Sequence, residues 1–255
     1  MPLHHEVGWE EVARSNAGYG EYVRHERRRL GAGHPLFLSQ YELRTVEAAG
    51  RLLSPSQLAA LEGSHAALSL PVAGERYVAG LDCAGEGERA DASVLTIARL
   101  AGGGRCDVVA HAAWRSAAYA RLTAEVTALA RLWRLERLTV DATGLGGPIA
   151  AQLRGELGPR VEPFTFTSAS KAALGFALIA SAETGRLTLY RDDGGADAAA
   201  VRRELSACGG DFRAAGGLAW GNARGNDDYV ASLALCLHAA ERVPPARRAT
   251  GRARD

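Results

Sequence analysis

Residues 77–100 read YVAGLDCAGEGERADASVLTIARL. The apolar run at 77–81 has the length and composition of a buried strand, and it ends on a carboxylate, Asp82. A loop of glycines and charges follows, and a second acid, Asp91, stands just before the chain turns apolar again. A carboxylate at the end of a buried strand is costly unless something meets it. Its meaning therefore depends on the other acids that the fold brings to the same edge.

Outward from this stretch the pattern is that of a mixed α/β domain. SVLTIARL (93–100) and CDVVAHAAW (106–114) read as two further strands, joined as a hairpin through the turn-rich AGGGR. YARLTAEVTALARLWRL (119–135) places Leu122, Val126, Leu129, Leu132 and Trp133 at helical spacing. RLTVD (137–141) is a short buried strand ending in Asp141, and ATGLGGPIAAQLRGEL is a glycine loop feeding a helix. Next come a strand in RVEPFTF, a helix from about 170 to 184, a strand in RLTLY and a helix around AAAVRREL. The glycine-rich hairpin CGGDFRAAGGLAWGN then leads into a last helix, DDYVASLALCLHAAERV. Three antiparallel strands followed by alternating helices and strands predict one mixed sheet with helices on its faces.

Residues 1–72 read differently. Helical spacing in 8–30 (Trp9, Val12, Tyr19, Val23, Leu30) and a further helical stretch broken at Ser54-Pro55 predict a charged helical appendage without a complete core of its own. The sheet domain is expected over 73–243 and a basic, disordered tail over 244–255.

Asp82 and Asp141 both end strands and both precede glycine-containing loops. In sheets of this kind sites form at the carboxyl ends of the parallel strands. A third acidic element, GNDDYVAS, opens the last helix with Asp227 and Asp228. Should that helix cross the same sheet edge, three carboxylates converge and repel, and a divalent cation resolves the conflict. Hard oxygen ligands suit Mg²⁺ or Mn²⁺. Two such ions about 3.5–4 Å apart are equipped to hydrolyse a phosphodiester. Taken singly, Asp141 and Asp227 also read as a turn cap and a helix N-cap, and Asp82 as a solvated strand end.

The totals exclude several other classes. The formal net charge is +1, so any polyanion site must be a local patch. The 4 cysteines form no C-x-x-C pair, which argues against a structural zinc site or a disulfide framework. No apolar run reaches membrane-spanning length and the N-terminus lacks a signal-peptide core, so a soluble cytoplasmic protein is expected. Of 30 lysines and arginines, Lys171 is the single lysine.

The stretches YVAGLDCAGEGERADASVLTIARL, LTVDATGLGG, VEPFTFTSASKAALGFALIASAETGRLTLY and GNDDYVASLALCL together resemble the nuclease domain of phage large terminase subunits, over about residues 75–240. HPLFLSQYELRTVEAAGRLLSPSQLAAL is similar to the segment joining the packaging ATPase to that nuclease. The resemblance implies an RNase H-like fold and a Mg²⁺- or Mn²⁺-dependent endonuclease, holding two ions, that cuts concatemeric viral DNA during packaging. It implies Asp82, Asp141 and an acid opening the last helix as metal ligands, with Asp228 favoured over Asp227 and Asn226 standing where the family carries His. It also implies accessory roles for Asp91 and Lys171. The DNA would be double-stranded and held through its phosphates, with Arg213 and Arg224 as contacts beside the tail arginines Arg247, Arg248, Arg252 and Arg254. The small terminase subunit, the portal protein and a separate ATPase part are the implied partners. No G-x-x-x-x-G-K-[ST] phosphate loop occurs, so these residues are not expected to drive translocation. A junction resolvase of the same fold, and a non-catalytic module docking DNA or portal, stay open as alternatives.

Overall fold

The structure is a computed structural model that describes residues 6–46, 49–84, 92–213, 217–223 and 225–244. It opens with α1 (Trp9–Ser15) and α2 (Ala17–Leu30), separated at Asn16, whose side chain caps α2 by accepting the Tyr19 N–H at 3.0 Å. After α3 (Pro35–Gln40) come a short strand, β1 (Ala49–Arg51), and α4 (Pro55–Ala60), which Ser54 and Gln57 start with a reciprocal capping box. The hairpin strands β2 (Tyr77–Asp82), β3 (Ser93–Ala101) and β4 (Arg105–Trp114) are followed by α5 (Tyr119–Leu132), β5 (Arg137–Asp141), α6 (Gly146–Leu157) and β6 (Val161–Phe164). The chain continues through α7 (Ser168–Glu183), β7 (Leu187–Thr188), α8 (Ala196–Ala207), β8 (Gly209–Arg213), β9 (Gly217–Gly221) and α9 (Asp228–Glu241).

Six strands form the main sheet in the order β6-β5-β2-β3-β4-β7. β2, β3 and β4 are antiparallel neighbours, β5 and β6 run parallel to β2, and β7 runs parallel to β4. The period-2 alternation of the strands gives each face its own core. Ala79, Leu81, Ile97, Leu138 and Val140 pack with α5 and α6 on one side, through Val126, Ile149 and Leu153. Val78, Val94, Ala98 and Val108 pack on the other with residues of α7, α8 and α9, among them Leu178, Val201 and Leu233. Asp82 shares the parity of Val78, and Asp141 is out of phase with Leu138 and Val140. Both acids therefore belong to the face that α9 covers.

Gly80 decides how closely α9 can approach. A Cβ there would overlap the backbone of Ser232 and Cys236, so the helix backbone lies directly on the strand. Thr96, opposite Gly80 in the β2–β3 register, meets the Ser232 hydroxyl at 2.7 Å and satisfies the polar atoms this approach buries.

Two elements differ from the sequence expectation. The stretch before Ser54 is not helical throughout, because β1 pairs antiparallel with β8 and makes a separate sheet, β1-β8-β9. Backbone pairing with the distant hairpin overrides local preference there. RLTLY contributes only Leu187 and Thr188 to the main sheet. Leu189 turns away to donate its N–H to the Leu61 carbonyl at 2.7 Å and to accept from Gly63 at 2.9 Å. The N-terminal helices lean on α7. Trp9, Val23, Leu30 and Phe37 cluster with Ala180, and Glu183 accepts hydrogen bonds from Gly33 N–H at 3.0 Å and Gln57 Nε2 at 2.8 Å.

Gly80→Ala is expected to cost about 1–3 kcal/mol, the range of an overpacked core, read as a lowered urea midpoint. An unchanged midpoint would show that α9 does not rest on this glycine.

Candidate active site

Asp82 and Asp141 stand side by side because β2 and β5 are parallel neighbours in register, Leu81 opposite Val140. Adjacent strands run about 4.8 Å apart, so the two residues that close these strands emerge at one edge. The chain beyond Asp141 turns sharply: Gly144 takes φ 55°, and a Cβ on Gly146 would overlap the Asp141 carbonyl. Within this turn the Thr143 N–H donates to Asp141 Oδ1 at 2.8 Å. The Thr143 hydroxyl accepts from Phe166 N–H at 2.9 Å, tying the turn to the chain beyond β6.

The third acid comes from α9. Asp228 is buried in its first turn, with Oδ2 accepting the Ala92 N–H at 3.0 Å and Asn226 Nδ2 at 3.1 Å. Asp227, the residue before the helix, turns instead toward Lys171, whose Nζ lies 3.5 Å from its Oδ2. The two neighbours thus differ in surroundings: Asp228 is buried and accepts from Ala92 and Asn226, while Asp227 is half-exposed and faces Lys171. A buried acid absent from the sequence reading, Glu204 of α8, sits behind them and accepts the Tyr229 N–H at 2.8 Å, so it holds the start of α9. Its signal was a charged residue on the buried stripe Ala200, Val201, Leu205.

The electrostatics mark Asp82 as the strained member. Burial first, then the negative charges of Asp141, Asp228 and Asp227, push its carboxyl well above the ordinary range, and Lys171 opposes them. Asp141 is also raised by burial, against hydrogen bonds from Thr143 and the charge of Lys171. Burial raises Glu204 to about 7; its contact with the Tyr229 N–H works the other way and the charge of Asp228 adds to the rise. The Cys83 thiol is raised well above its usual value by burial and then by Asp82 and Asp141, which leaves it a poor nucleophile.

Among the described residues no hydrogen-bond donor reaches the Asp82 carboxylate. Among the same residues no three His, Cys, Asp or Glu side chains are drawn together as a finished metal-ligand shell. Like charges in a poorly hydrated corner keep apart, and these acids share a neighbourhood without closing on one another. The donor set is all hard oxygen and carries excess negative charge, which suits a divalent cation of the magnesium type. Lys171 and Arg213 both line a cavity of about 560 Å³ between α7 and β9. Arg213 lies at the end of β8, exposed and 3.9 Å from Asp211. Asp91, Arg224 and the four tail arginines lie outside the described residues. Among the described residues no helix is long and apolar enough to cross a membrane.

No protein-family model and no curated protein matches the sequence. Solved structures do. The large terminase nuclease from thermophilic phage G20c with bound magnesium is 22% identical, with a TM-score of 0.60, over 74% of this chain and 96% of that one. The nuclease domain of the large terminase subunit gp2 of bacterial virus Sf6, with manganese and beta-thujaplicinol, is 14% identical with a TM-score of 0.55, over 77% and 100%. The HK97 bacteriophage large terminase is 15% identical with a TM-score of 0.57, and the match spans 93% of this chain but 55% of that one. The fold is therefore the RNase H-like fold of the phage large terminase nucleases, as the sequence resemblance implied.

A raised carboxyl destabilises the folded state at every pH above the ordinary aspartate range, because the unfolded chain ionises first. Asp82→Asn should therefore melt a few degrees above the wild type at pH 7 in EDTA. The gap should close as pH falls below about 4 and should narrow when Mg²⁺ is added to both proteins. A variant less stable than wild type at pH 7 would mean that Asp82 is held by favourable contacts.

Proposed function

We propose that this chain is a divalent-metal-dependent DNA endonuclease of the large-terminase type, hydrolysing phosphodiester bonds of concatemeric viral DNA during genome packaging. The observation that carries the reading is Asp82: it closes β2 beside Asp141 on the parallel neighbour β5, and the charges of Asp141, Asp228 and Asp227 all bear on it, with no hydrogen-bond donor at its carboxylate among the described residues. Asp82, Asp141 and Asp228 would hold two Mg²⁺ or Mn²⁺ ions, and Asp227 is the weaker candidate because Lys171 already engages it. When bound, such ions polarise the scissile phosphate and the attacking water.

The chain's own residues prepare the place. The parallel register of β2 and β5 fixes Asp82 beside Asp141, and Thr143 orients one Asp141 oxygen, leaving the other available. Ala92 N–H and Asn226 set the rotamer of Asp228, and Glu204 anchors the helix that carries it. Lys171 brings a cation to the same corner, suited to a phosphate oxygen. Arg213 on the neighbouring cavity wall, and Arg224 beside the acid pair in sequence, supply phosphate contacts that position DNA without reading it. Asp91, which falls between β2 and β3 in sequence, is an accessory acid on this reading.

The metals named with the G20c and Sf6 nucleases support the metal requirement. The broader match to the HK97 large terminase supports reading 1–72 as the segment that follows a packaging motor. Double-stranded DNA is the substrate on this reading. The small terminase subunit, the portal and a separate ATPase part are the partners that packaging requires.

Plasmid DNA incubated with the protein and Mn²⁺ should be nicked and linearised, and EDTA should stop it. Asp82→Asn, Asp141→Asn and Asp228→Asn should each lower the rate about 100-fold or more with circular dichroism unchanged, and Asp227→Asn should cost less. Undiminished cleavage by purified Asp82→Asn and Asp141→Asn would sink the proposal. Cleavage confined to four-way junctions would move the assignment to a resolvase.

A further inference from the structure

We infer that Trp220 is a positioning residue for Lys171, holding the ammonium group at the acidic corner while adding no negative charge of its own. The consequence for catalysis rests on the nuclease reading; the placement does not. Trp220 engages both ends of the lysine. Its Nε1 donates to the Lys171 carbonyl at 2.6 Å, and its ring centroid lies 4.7 Å from Nζ. Phe166 presents a second ring, 6.0 Å from the same nitrogen.

Two glycines make room for this arrangement. Gly175 is one turn beyond Lys171 on α7, and a Cβ there would stand 2.6 Å from Trp220 Cδ1 and 2.7 Å from Nε1. The indole edge that carries Nε1 is thus pressed against the helix. At Gly221, which follows Trp220, a Cβ would stand 2.8 Å from Asp227 Oδ2 and 3.8 Å from Lys171 Nζ, so β9 ends bare where the ion pair passes.

The Asp227 contact is too weak to hold Lys171 by itself. At 3.5 Å, with side chains 37% and 31% exposed, it is a partly hydrated pair of the kind that contributes little. A buried indole attracts a compact cation through its ring face and does not neutralise it. That difference matters beside carboxylates already in conflict, since another acid would worsen the repulsion. The charge of Lys171 is felt at both Asp82 and Asp141.

Because Lys171 is the only lysine, protein grown with ¹³C-lysine gives one ε-methylene signal, free of overlap and independent of activity. In the wild type that signal should sit upfield of its random-coil position, displaced by the indole ring current. Trp220→Leu should return it toward random coil. In single-turnover cleavage with Mn²⁺, Trp220→Leu should lower the rate about three- to thirty-fold, the span a cation–π contact supports. In a Lys171→Met background the same change should cost nothing further.

A signal at the random-coil position in the wild type, or unmoved by Trp220→Leu in a protein with native circular dichroism, overturns the inference. So do losses that multiply in the double variant, which mark a structural role. Should Trp220→Leu not fold, Trp220→Phe keeps a weaker ring in place: a smaller upfield shift and a partial loss, again absent without Lys171, are then required. Wild-type protein inert toward DNA would defeat the nuclease reading and leave the lysine signal to decide the placement.

Discussion

A helix backbone can lie directly on a sheet only where the sheet carries no side chain, and α9 does so at Gly80. The site depends on that contact. β2 and β5 bring Asp82 and Asp141 to one edge through their register alone. Asp228 joins them only because α9 is let down onto the strand two residues before Asp82. A larger residue at 80 would lift the helix and draw the third carboxylate away from the first two. Thr96 and Ser232 pair beside the same glycine, so a polar link lies at the closest approach.

The convergence of acids is costly, and the surrounding donors are distributed unevenly. Asp141 receives Thr143, Asp228 receives Ala92 and Asn226, and Asp227 receives Lys171. The contacts at Asp141 and Asp228 stabilise those carboxylates, and the partly hydrated pair at Asp227 adds little. Asp82, at the end of β2, is left with negative neighbours and the opposing charge of Lys171. Such a pattern is poor for stability and good for a cation, which can satisfy several oxygens at once where a hydrogen bond satisfies one. Glu204 extends the same economy to the helix: one buried carboxylate takes N–H groups at the start of α9 that have no partner within the helix.

Strand ends and their acids were legible because burial imposes period and length on the residues themselves. YVAGLD and RLTVD carry their acids at the point where the apolar run stops, and glycines at 144 and 146 follow from the tightness of the next turn. Partners that arise only from packing were not legible. β1 exists because a hairpin more than 150 residues later in the chain offers it an edge, and nothing in AGR announces a strand. Glu204 and Trp220 are single residues on otherwise apolar stripes, and their targets are backbone groups on other elements. The different surroundings of Asp227 and Asp228 also needed geometry: adjacent identical residues at a helix start differ only in the direction they face.

The identity of the one lysine follows from the same electrostatics. A guanidinium at position 171 would form a two-pronged bond with Asp227, since its fork matches a carboxylate. That pairing would lock the cation to one acid and spend its charge there. An ammonium has no such planar match; it is a compact point charge, able to rest on the Trp220 face at 4.7 Å and touch Asp227 at 3.5 Å while its field still reaches Asp82 and Asp141. In a chain that otherwise uses arginine for every strong base, lysine stands where a charge must be shared among several acids instead of being bound by one.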